Sequence, residues 1–168
     1  MATNMYIKFL DPEIVGSSTA GKHEKAIEIL SCNHGFRQPT SPTRSTSGAA
    51  SVEQADHNNL SFSKYLDAAS TELMRANWSG QQFKKVTLSC WRSDGAKDNQ
   101  PVEYLNIDME HVIISNINIS GGAGNVAIEN IALDYGSVQY TYKEQKQDDG
   151  KGGSNLPAKH NLETRSIS

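Results

Sequence analysis

The feature that most constrains this chain is one long stretch, residues 104–119, in which apolar and polar side chains alternate. One set of alternate positions is apolar: Leu105, Ile107, Met109, Ile113, Ile117 and Ile119. The other set is polar: Asn106, Asp108, Glu110, Asn116 and Asn118. A repeat of two places successive side chains on opposite faces of a strand, whereas a helix would mix the two sets. The stretch predicts a strand far longer than the usual length of about five to six residues.

Shorter runs of the same kind predict further strands at residues 5–10, 26–32, 52–64, 83–91 and 131–142. In the last of these runs the apolar positions change parity between Tyr135 and Val138, which predicts a β-bulge at Gly136 and Ser137. The glycine-rich residues 121–125 predict the turn of a hairpin. One helix is predicted at residues 70–78, with Ser70 as its N-cap and Gly80 at its end. Such strands suit a barrel or a tightly packed pair of sheets.

Two stretches lack any alternation. Residues 37–51 contain Pro39, Pro42 and Gly48 among many serines and threonines, which predicts a loop. Loops of this length are usually functional or disordered. Residues 144–168 are polar and rich in glycine, so a mobile C-terminal tail is expected after a domain at residues 1–143.

Composition excludes several classes of protein. The 168 residues suit one domain with a modest core, and a net charge of −3 does not favour nucleic acid as a partner. The first ten residues do not resemble a signal peptide, and no apolar run reaches the roughly 18 residues that cross a bilayer. These observations predict a cytoplasmic protein that does not insert into membranes, and they leave export without a cleavable signal open. Cys32 and Cys90 are expected to be reduced and partly buried, with a disulfide left as the alternative.

No pattern of catalytic or ligand-binding residues is present. The five histidines lack the short spacings of metal sites, and His111 is expected to be a partly buried strand residue. Gly121 and its neighbours lack the lysine and hydroxyl of a phosphate loop. Asp108 and Glu110 share a strand face without a recognisable acid–base partner, so a solvated face is expected. The chain is therefore predicted to be no enzyme, with no catalytic residue, metal or cofactor.

The order of these features resembles the haemolysin-coregulated protein (Hcp) family of type VI secretion. The resemblance covers residues 5–151 and rests on an ordered set of segments. These are Met5-Tyr6-Ile7-Lys8-Phe9, His23-Glu24, Gly35-Phe36-Arg37-Gln38-Pro39, Ser63-Lys64-Tyr65-Leu66-Asp67-Ala68-Ala69-Ser70, Glu103-Tyr104-Leu105-Asn106-Ile107, Val112-Ile113-Ile114-Ser115, Gln139-Tyr140-Thr141-Tyr142 and Asp149-Gly150-Lys151. The chain departs from the family at Cys32 and His34, where members often carry tryptophan, and in its loop at residues 40–50, which is richer in serine and threonine.

The resemblance implies a mainly β protein: an antiparallel β-barrel of two packed sheets with one short α-helix on the side. It further implies homohexameric rings that stack into the inner tube of the type VI machine. A contractile sheath surrounds such a tube, a spike protein caps it, and the bore carries or chaperones small effectors that are secreted with it. The tube would thus leave the cytoplasm without a cleavable signal.

The loop is the segment that we expect to dock on the next ring and set the strength of stacking. The residues assigned to this role are Arg37, Gln38, Pro39, Thr40, Ser41, Pro42, Thr43, Arg44, Ser47 and Gly48. The alternative function is a stand-alone β-barrel that binds a ligand in its interior. A hydrolase ranks last, because Hcp-like proteins fused to toxin domains need a long extension and about 25 residues follow Lys143.

Overall fold

The computed structural model describes residues 4–40, 53–93, 100–146 and 152–168. Within these ranges the chain is mainly β, with the α-helix α1 at Ser70–Ser79 and a single 3-10 turn at Gly21–His23. The strands are β1 (Asn4–Leu10), β2 (Ile27–Ile29), β3 (Ser31–Asn33), β4 (Phe36–Arg37), β5 (Asp56–His57), β6 (Leu60–Tyr65), β7 (Gln82–Ser93), β8 (Pro101–Ser120), β9 (Ile128–Asp134), β10 (Ser137–Gln145), β11 (Gly152–Asn161) and β12 (Ser166–Ile167). Every strand pair is antiparallel.

The long strand β8 joins the two sheets. Its first half lies between β7 and β10, and its second half pairs with β9. One sheet continues from β7 through β1 to β2, and the other continues from β9 through β6 to β3. The sheets meet again at Leu30, between β2 and β3, whose amide donates to the carbonyl of Ser63 at 2.7 Å. This arrangement is the barrel of two packed sheets that the resemblance implied, with the ladder interrupted at the Leu30 corner.

Side chains fill the space between the sheets. Phe9 and Phe83 meet edge to face with ring centroids 5.0 Å apart, and Phe62 approaches from the second sheet. Helix α1 closes one side by inserting Leu73 and Ala76 into the same core. Each large apolar side chain buried in this way stabilises the fold by about 1.5–3 kcal/mol relative to an exposed position.

Strand β8 is as long as its alternation predicted, but its faces are not constant. Ile107 and Met109 are buried before His111, whereas Val112 and Ile114 are buried after it. The shared buried face predicted for Ile113 and Ile119 is therefore wrong, since these side chains are 38% and 51% exposed. The backbone of His111 has a φ of 55°, in the left-handed region, and the resulting bend changes the buried parity.

His111 itself is exposed, contrary to the expectation of a partly buried imidazole. Its Nδ1 lies 2.9 Å from Oε1 of Glu163, in the turn between β11 and β12. The bend that changes the parity of β8 is the reason, because it turns this position out of the core.

The change of parity predicted at Gly136 and Ser137 is confirmed, although it lies at a corner between two strands and not in a bulge within one strand. Strand β9 ends at Asp134 and β10 begins at Ser137, so Tyr135 and Val138 are both buried although they differ in parity. Gly136 lies at this corner, where its amide donates to the carbonyl of Glu110 at 3.0 Å. The predicted turn at residues 121–125 connects β8 and β9.

Helix α1 ends as predicted and begins differently. Gly80 adopts the left-handed conformation, with a φ of 65°, and its amide donates to carbonyls of the last turn. Ser70 is not the N-cap, because that position is Ala69. The Ser70 side chain instead turns inward, where its hydroxyl accepts a hydrogen bond from the Asp67 amide at 2.9 Å.

The C-terminal segment is not the mobile tail that was expected. Residues 152–161 form β11, which pairs along β10 from Ser137 to Gln145, and the short β12 pairs with the end of β11. Polar composition concealed this strand because β11 extends the sheet beyond the core, where apolar alternation is not required. The domain boundary at residue 143 stays a prediction.

The two cysteines occupy different environments. Cys90 is buried, and Cys32 is exposed rather than partly buried. Both are free thiols in this structure.

Candidate assembly surface

The base of the predicted stacking loop is a small hairpin. Strands β4 and β5 pair with each other in a two-stranded sheet of their own. Nη2 of Arg37 lies 3.2 Å from Oδ2 of Asp56, and the two side chains are 77% and 58% exposed. The side chain of Gln38 donates through Nε2 to the carbonyl of Glu53, which adds a contact across the loop base beyond the strands. The hairpin therefore presents charged side chains to solvent from a fixed backbone.

Four of the ten residues predicted for stacking lie in this hairpin base or directly after it: Arg37, Gln38, Pro39 and Thr40. The other six lie outside the described residues: Ser41, Pro42, Thr43, Arg44, Ser47 and Gly48. The role of all ten in ring stacking stays a prediction.

All strands except β4 and β5 are joined in one ten-stranded ladder, here called the large sheet, whose outer strands on one side are β10, β11 and β12. An apolar groove lies between the hairpin and these outer strands. Its volume is about 280 Å³, and Phe36 and Ile167, which are 53% and 79% exposed, border it. The remaining lining residues are His57, Val138, Tyr140, Ala158, Lys159 and His160. Exposed apolar surface of this kind is typical of a protein–protein interface.

Five side chains under this groove form a continuous line of hydrogen bonds, which we call the histidine–tyrosine chain. His34 contacts the hydroxyl of Tyr140 through Nδ1 at 2.5 Å and that of Tyr135 through Nε2 at 2.6 Å. The Tyr135 hydroxyl lies 2.7 Å from Nδ1 of His57. Nε2 of His57 then lies 2.7 Å from Nδ1 of His160. The chain links β5 to the β9–β10 corner and to β11.

Burial shifts the titration of this chain. It lowers the pKa of His34 to about 4, with a further lowering from the neighbouring His57, while a hydrogen bond to the backbone of Asn58 acts the other way. Burial also lowers the pKa of His57, as does the charge of His160. It raises the pKa of Tyr140 to about 12 and that of Tyr135 further. His34, His57 and the two tyrosines are therefore neutral at pH 7.

Sequence reasoning missed the chain because it searched for short spacings between histidines. Its members come from five places between residues 34 and 160, and only the folding of β9, β10 and β11 beside the hairpin unites them. The available signal was the placement of Tyr135 and Tyr140 on the apolar parity of their strands. A buried tyrosine needs a partner for its hydroxyl.

The acidic residues on the polar face of β8 each have partners on a neighbouring strand. Asp108 accepts from the Thr87 hydroxyl at 2.8 Å and lies 3.5 Å from Nζ of Lys85, while Glu110 accepts from Ser137. Across residues 4–40, 53–93, 100–146 and 152–168, no three histidine, cysteine or acidic side chains are grouped so as to hold a metal ion. In the same ranges no helix is long and apolar enough to cross a membrane.

The outer edge of β11 is the third surface feature. The amide of Lys159 donates to the carbonyl of Ser168 at 2.8 Å, so the N–H and C=O groups of Lys159 face away from β10. Alternation along a strand gives the same outward direction to Asn155 and Pro157. In the part of the chain that the structure describes, β12 covers only the end of this edge.

Comparison with known proteins identifies the architecture. Residues 6–142 match the model of the family described as type VI secretion system effector, Hcp. Protein hcp1 of Pseudomonas aeruginosa is 32% identical over 166 residues, which covers 98% of this chain and 97% of that protein. The chain belongs to the Hcp family.

Solved structures agree over the full length of the fold. A structure of a type six secretion system protein superposes with a TM-score of 0.87 at 29% identity and covers 99% of this chain and all of its own. The crystal structure of Hcp1 from Salmonella typhimurium gives a TM-score of 0.77 at 25% identity, with complete coverage of both chains. This Hcp-family chain is accordingly a tube protein of type VI secretion, and its self-assembly follows from that role.

Proposed function

We propose that this chain forms homohexameric rings that stack end to end into a hollow tube within a contractile sheath, capped by a spike protein. The tube leaves the cytoplasm through type VI secretion and carries or chaperones small effectors in its bore. The role is structural and involves no turnover of a substrate, no nucleic acid and no insertion into a membrane. Family membership supports this proposal, and the surfaces described above give it a physical basis.

The observation that carries the proposal is the outer edge of β11, which among the described residues is paired only at its end, by β12. An unpaired strand edge is a template for another strand, and monomeric proteins usually cover it. Here the edge lies beside the apolar groove under Phe36, so one neighbour can pair with the backbone and bury the groove together. Contacts of this head-to-tail kind close into a ring when the rotation between copies is a whole fraction of a turn.

Stacking is assigned to the loop whose base is the β4–β5 hairpin. The hairpin is separate from the large sheet, and Arg37 and Asp56 are exposed at its base. Phe36 of the hairpin borders the groove that ring closure buries, whereas Pro39 and Thr40, the described residues that lead into the loop, do not line it. Changes confined to residues 40–48 are therefore expected to impair ring stacking without impairing ring closure.

The first experiment measures the particle itself. Multi-angle light scattering and negative-stain microscopy of the purified chain should show a hollow ring of six copies. A particle that remains a monomer at high protein concentration, with no annular images, would overturn the proposal.

The second experiment separates stacking from ring closure. Deletion of residues 40–48 should leave rings intact and abolish secretion of the protein from a strain that depends on it. A matched control replaces the same nine residues with glycine and serine, which keeps the length and removes the sequence. Unchanged secretion of the deletion variant refutes the role of the loop. If the glycine–serine control is secreted and the deletion variant is not, the length of the loop rather than its sequence is what stacking requires.

The alternative of a stand-alone carrier is not favoured. The space between the sheets is filled by apolar side chains such as Phe9, Phe62 and Met109, each 2% exposed or less. The cavities found among the described residues are bordered by exposed side chains rather than enclosed in the barrel.

A further inference from the structure

The histidine–tyrosine chain is satisfied by neutral groups alone. A neutral imidazole has one nitrogen that donates and one that accepts, and a phenol hydroxyl both donates and accepts. Four hydrogen bonds lead from Tyr140 to His160, at 2.5, 2.6, 2.7 and 2.7 Å. When all donors point in the same direction along the chain, each of these bonds therefore contains one donated hydrogen.

Protonation of the histidines changes how many of these hydrogen bonds can be satisfied. One proton on His57 leaves every contact satisfied, because His57 then donates both to Tyr135 and to His160. A second proton on His160 places two N–H groups against each other across 2.7 Å, where a hydrogen bond had been. If the second proton goes to His34 instead, the Tyr135 hydroxyl accepts from both His34 and His57. The hydroxyl hydrogen of Tyr135 is then left without a partner in the chain. The chain therefore accommodates one extra proton and not two.

The contact that fails joins two separate parts of the fold. His57 belongs to the β4–β5 hairpin, and His160 belongs to β11 in the large sheet. The ladder of the hairpin is not continuous with that sheet. Phe36 adds ring contacts to His34 and His57, with centroids 4.5 and 4.8 Å away.

We propose that the His57–His160 contact is an acid-sensitive latch that holds the β4–β5 hairpin against β11 and opens when both of these histidines are protonated. The latch is a property of a single chain and does not depend on ring formation. Only its consequence for stacking, the release of the loop base in acid, rests on the proposed function.

Charged and titratable groups surround the latch on every side. On the hairpin, Arg37 and Asp56 pair with each other next to His57. From the large sheet, Lys159 lines the groove beside His160, Asp134 acts on Tyr135, and Cys32 and Cys90 act on Tyr140. The negative charge of Asp56 is offset by Arg37.

The pKa values of His34 and His57 support opening of the latch in acid rather than in base. The pKa of His34 is lowered to about 4 and that of His57 is also lowered, in each case first by burial. A lowered histidine pKa means that the closed hairpin binds fewer protons than the open one. The latch is therefore closed above the ordinary histidine pKa of about 6.5 and weakens as the pH falls below it.

Hydrogen exchange tests the latch directly. Protection factors of the hairpin amides of Arg37, Asp56 and Asn58, corrected for intrinsic exchange, should fall about tenfold between about pH 7.5 and about pH 5. Amides in the centre of β7 should keep their protection. Equal hairpin protection at both pH values would overturn the latch, whatever the state of the rings.

Two variants locate the effect. His160→Gln keeps a hydrogen-bonding partner for His57 but carries no charge, so the response of the hairpin should shrink to less than about twofold. His111→Asn is the matched control, because it removes an exposed histidine outside the chain at a φ that asparagine tolerates. A full response in His160→Gln would contradict the proposal.

NMR titration of the histidines in the unaltered chain gives a second readout that needs no variant. The ring signals of His57 should shift together with the backbone signals of β5. Titration of His57 without any movement of β5 signals would also overturn the latch.

Discussion

Nζ of Lys64 lies 2.7 Å from Oε2 of Glu129, and both side chains are fully buried. The same ammonium group donates to Asp67 at 2.8 Å and to the Ser70 hydroxyl at 3.0 Å. This network joins β6, β9 and the first turn of α1 at one point inside the fold. It also explains why Ser70 faces inward rather than capping the helix.

Lys64→Met should lower the free energy of unfolding by about 3–5 kcal/mol, because it leaves the Glu129 carboxylate buried without its counterion. Urea denaturation followed by circular dichroism measures the change. The double variant Lys64→Met/Glu129→Leu should recover most of the loss, since the fully buried charges are both gone and only the partly exposed Asp67 loses its ion pair. Arg37→Gln breaks an exposed pair and serves as the control, with an expected change of about 1 kcal/mol or less. A loss in the double variant as large as in the single one would contradict this account.

Two glycines should respond differently to the same substitution. A Cβ at Gly16 would lie 2.3 Å from the carbonyl oxygen of Ala26 and 2.7 Å from the amide nitrogen of Ile27, and this backbone has no room to move. A Cβ at Gly136 would meet the carboxylate end of the exposed Glu163 side chain at 2.4 Å, which can turn away.

Gly16→Ala should therefore cost about 1–3 kcal/mol of stability, and Gly136→Ala distinctly less. Thermal unfolding of the two variants side by side measures the difference. Equal shifts of Tm would mean that the contact at Gly16 relaxes as easily as a surface side chain does.

The sequence predicted those parts of the fold in which one local pattern decides the structure. The alternation along β8 and the change of parity at Gly136 are of this kind, because the buried face of a strand favours apolar residues, whose positions can therefore be read from the sequence. The bend at His111 was missed because histidine gives no composition signal for a left-handed backbone. Strand β11 was missed because a polar strand is held by ladder hydrogen bonds that any sequence can form.

The candidate site was predictable only in part for a related reason. The loop after Arg37 is visible in the sequence as a cluster of turn-forming residues. The histidine–tyrosine chain depends on His34, His57 and His160 meeting through long-range strand pairing, and no spacing between them encodes that meeting.

The stability of the whole chain should depend on pH through His34. Its pKa of about 4 lies below that of an unfolded histidine, so the folded state excludes a proton that the unfolded state binds. The contribution is complete above about pH 6.5 and is lost as the pH falls towards 4. After allowance for partial solvent screening, it is about 1–2 kcal/mol.

Urea unfolding of the unaltered chain and of His34→Gln, at pH values across that window, measures this contribution. The variant should show a flatter dependence on pH, since glutamine does not titrate. Parallel curves for the two proteins would show that His34 carries no part of the acid sensitivity.

Pro157 limits the outer edge of β11. Its backbone faces away from β10, as the hydrogen bonds of Lys159 with Ser168 indicate, so the residue leaves a gap in the row of outward amides. A proline at an edge is one of the devices by which proteins prevent indiscriminate strand pairing. Pro157→Thr restores an outward N–H and should shift the chain from defined assemblies towards larger, heterogeneous ones. Light scattering against protein concentration measures that shift.

Leu156→Thr is the matched control for this change, because it places the same side chain one position along the strand, at an exposed residue outside the apolar groove. The backbone of Leu156 points towards Tyr142 in β10, so its amide is already committed to the sheet. The control should therefore assemble like the unaltered chain. If both variants aggregate alike, the added threonine side chain rather than the restored edge donor is responsible, and Pro157 has no protective role at this edge.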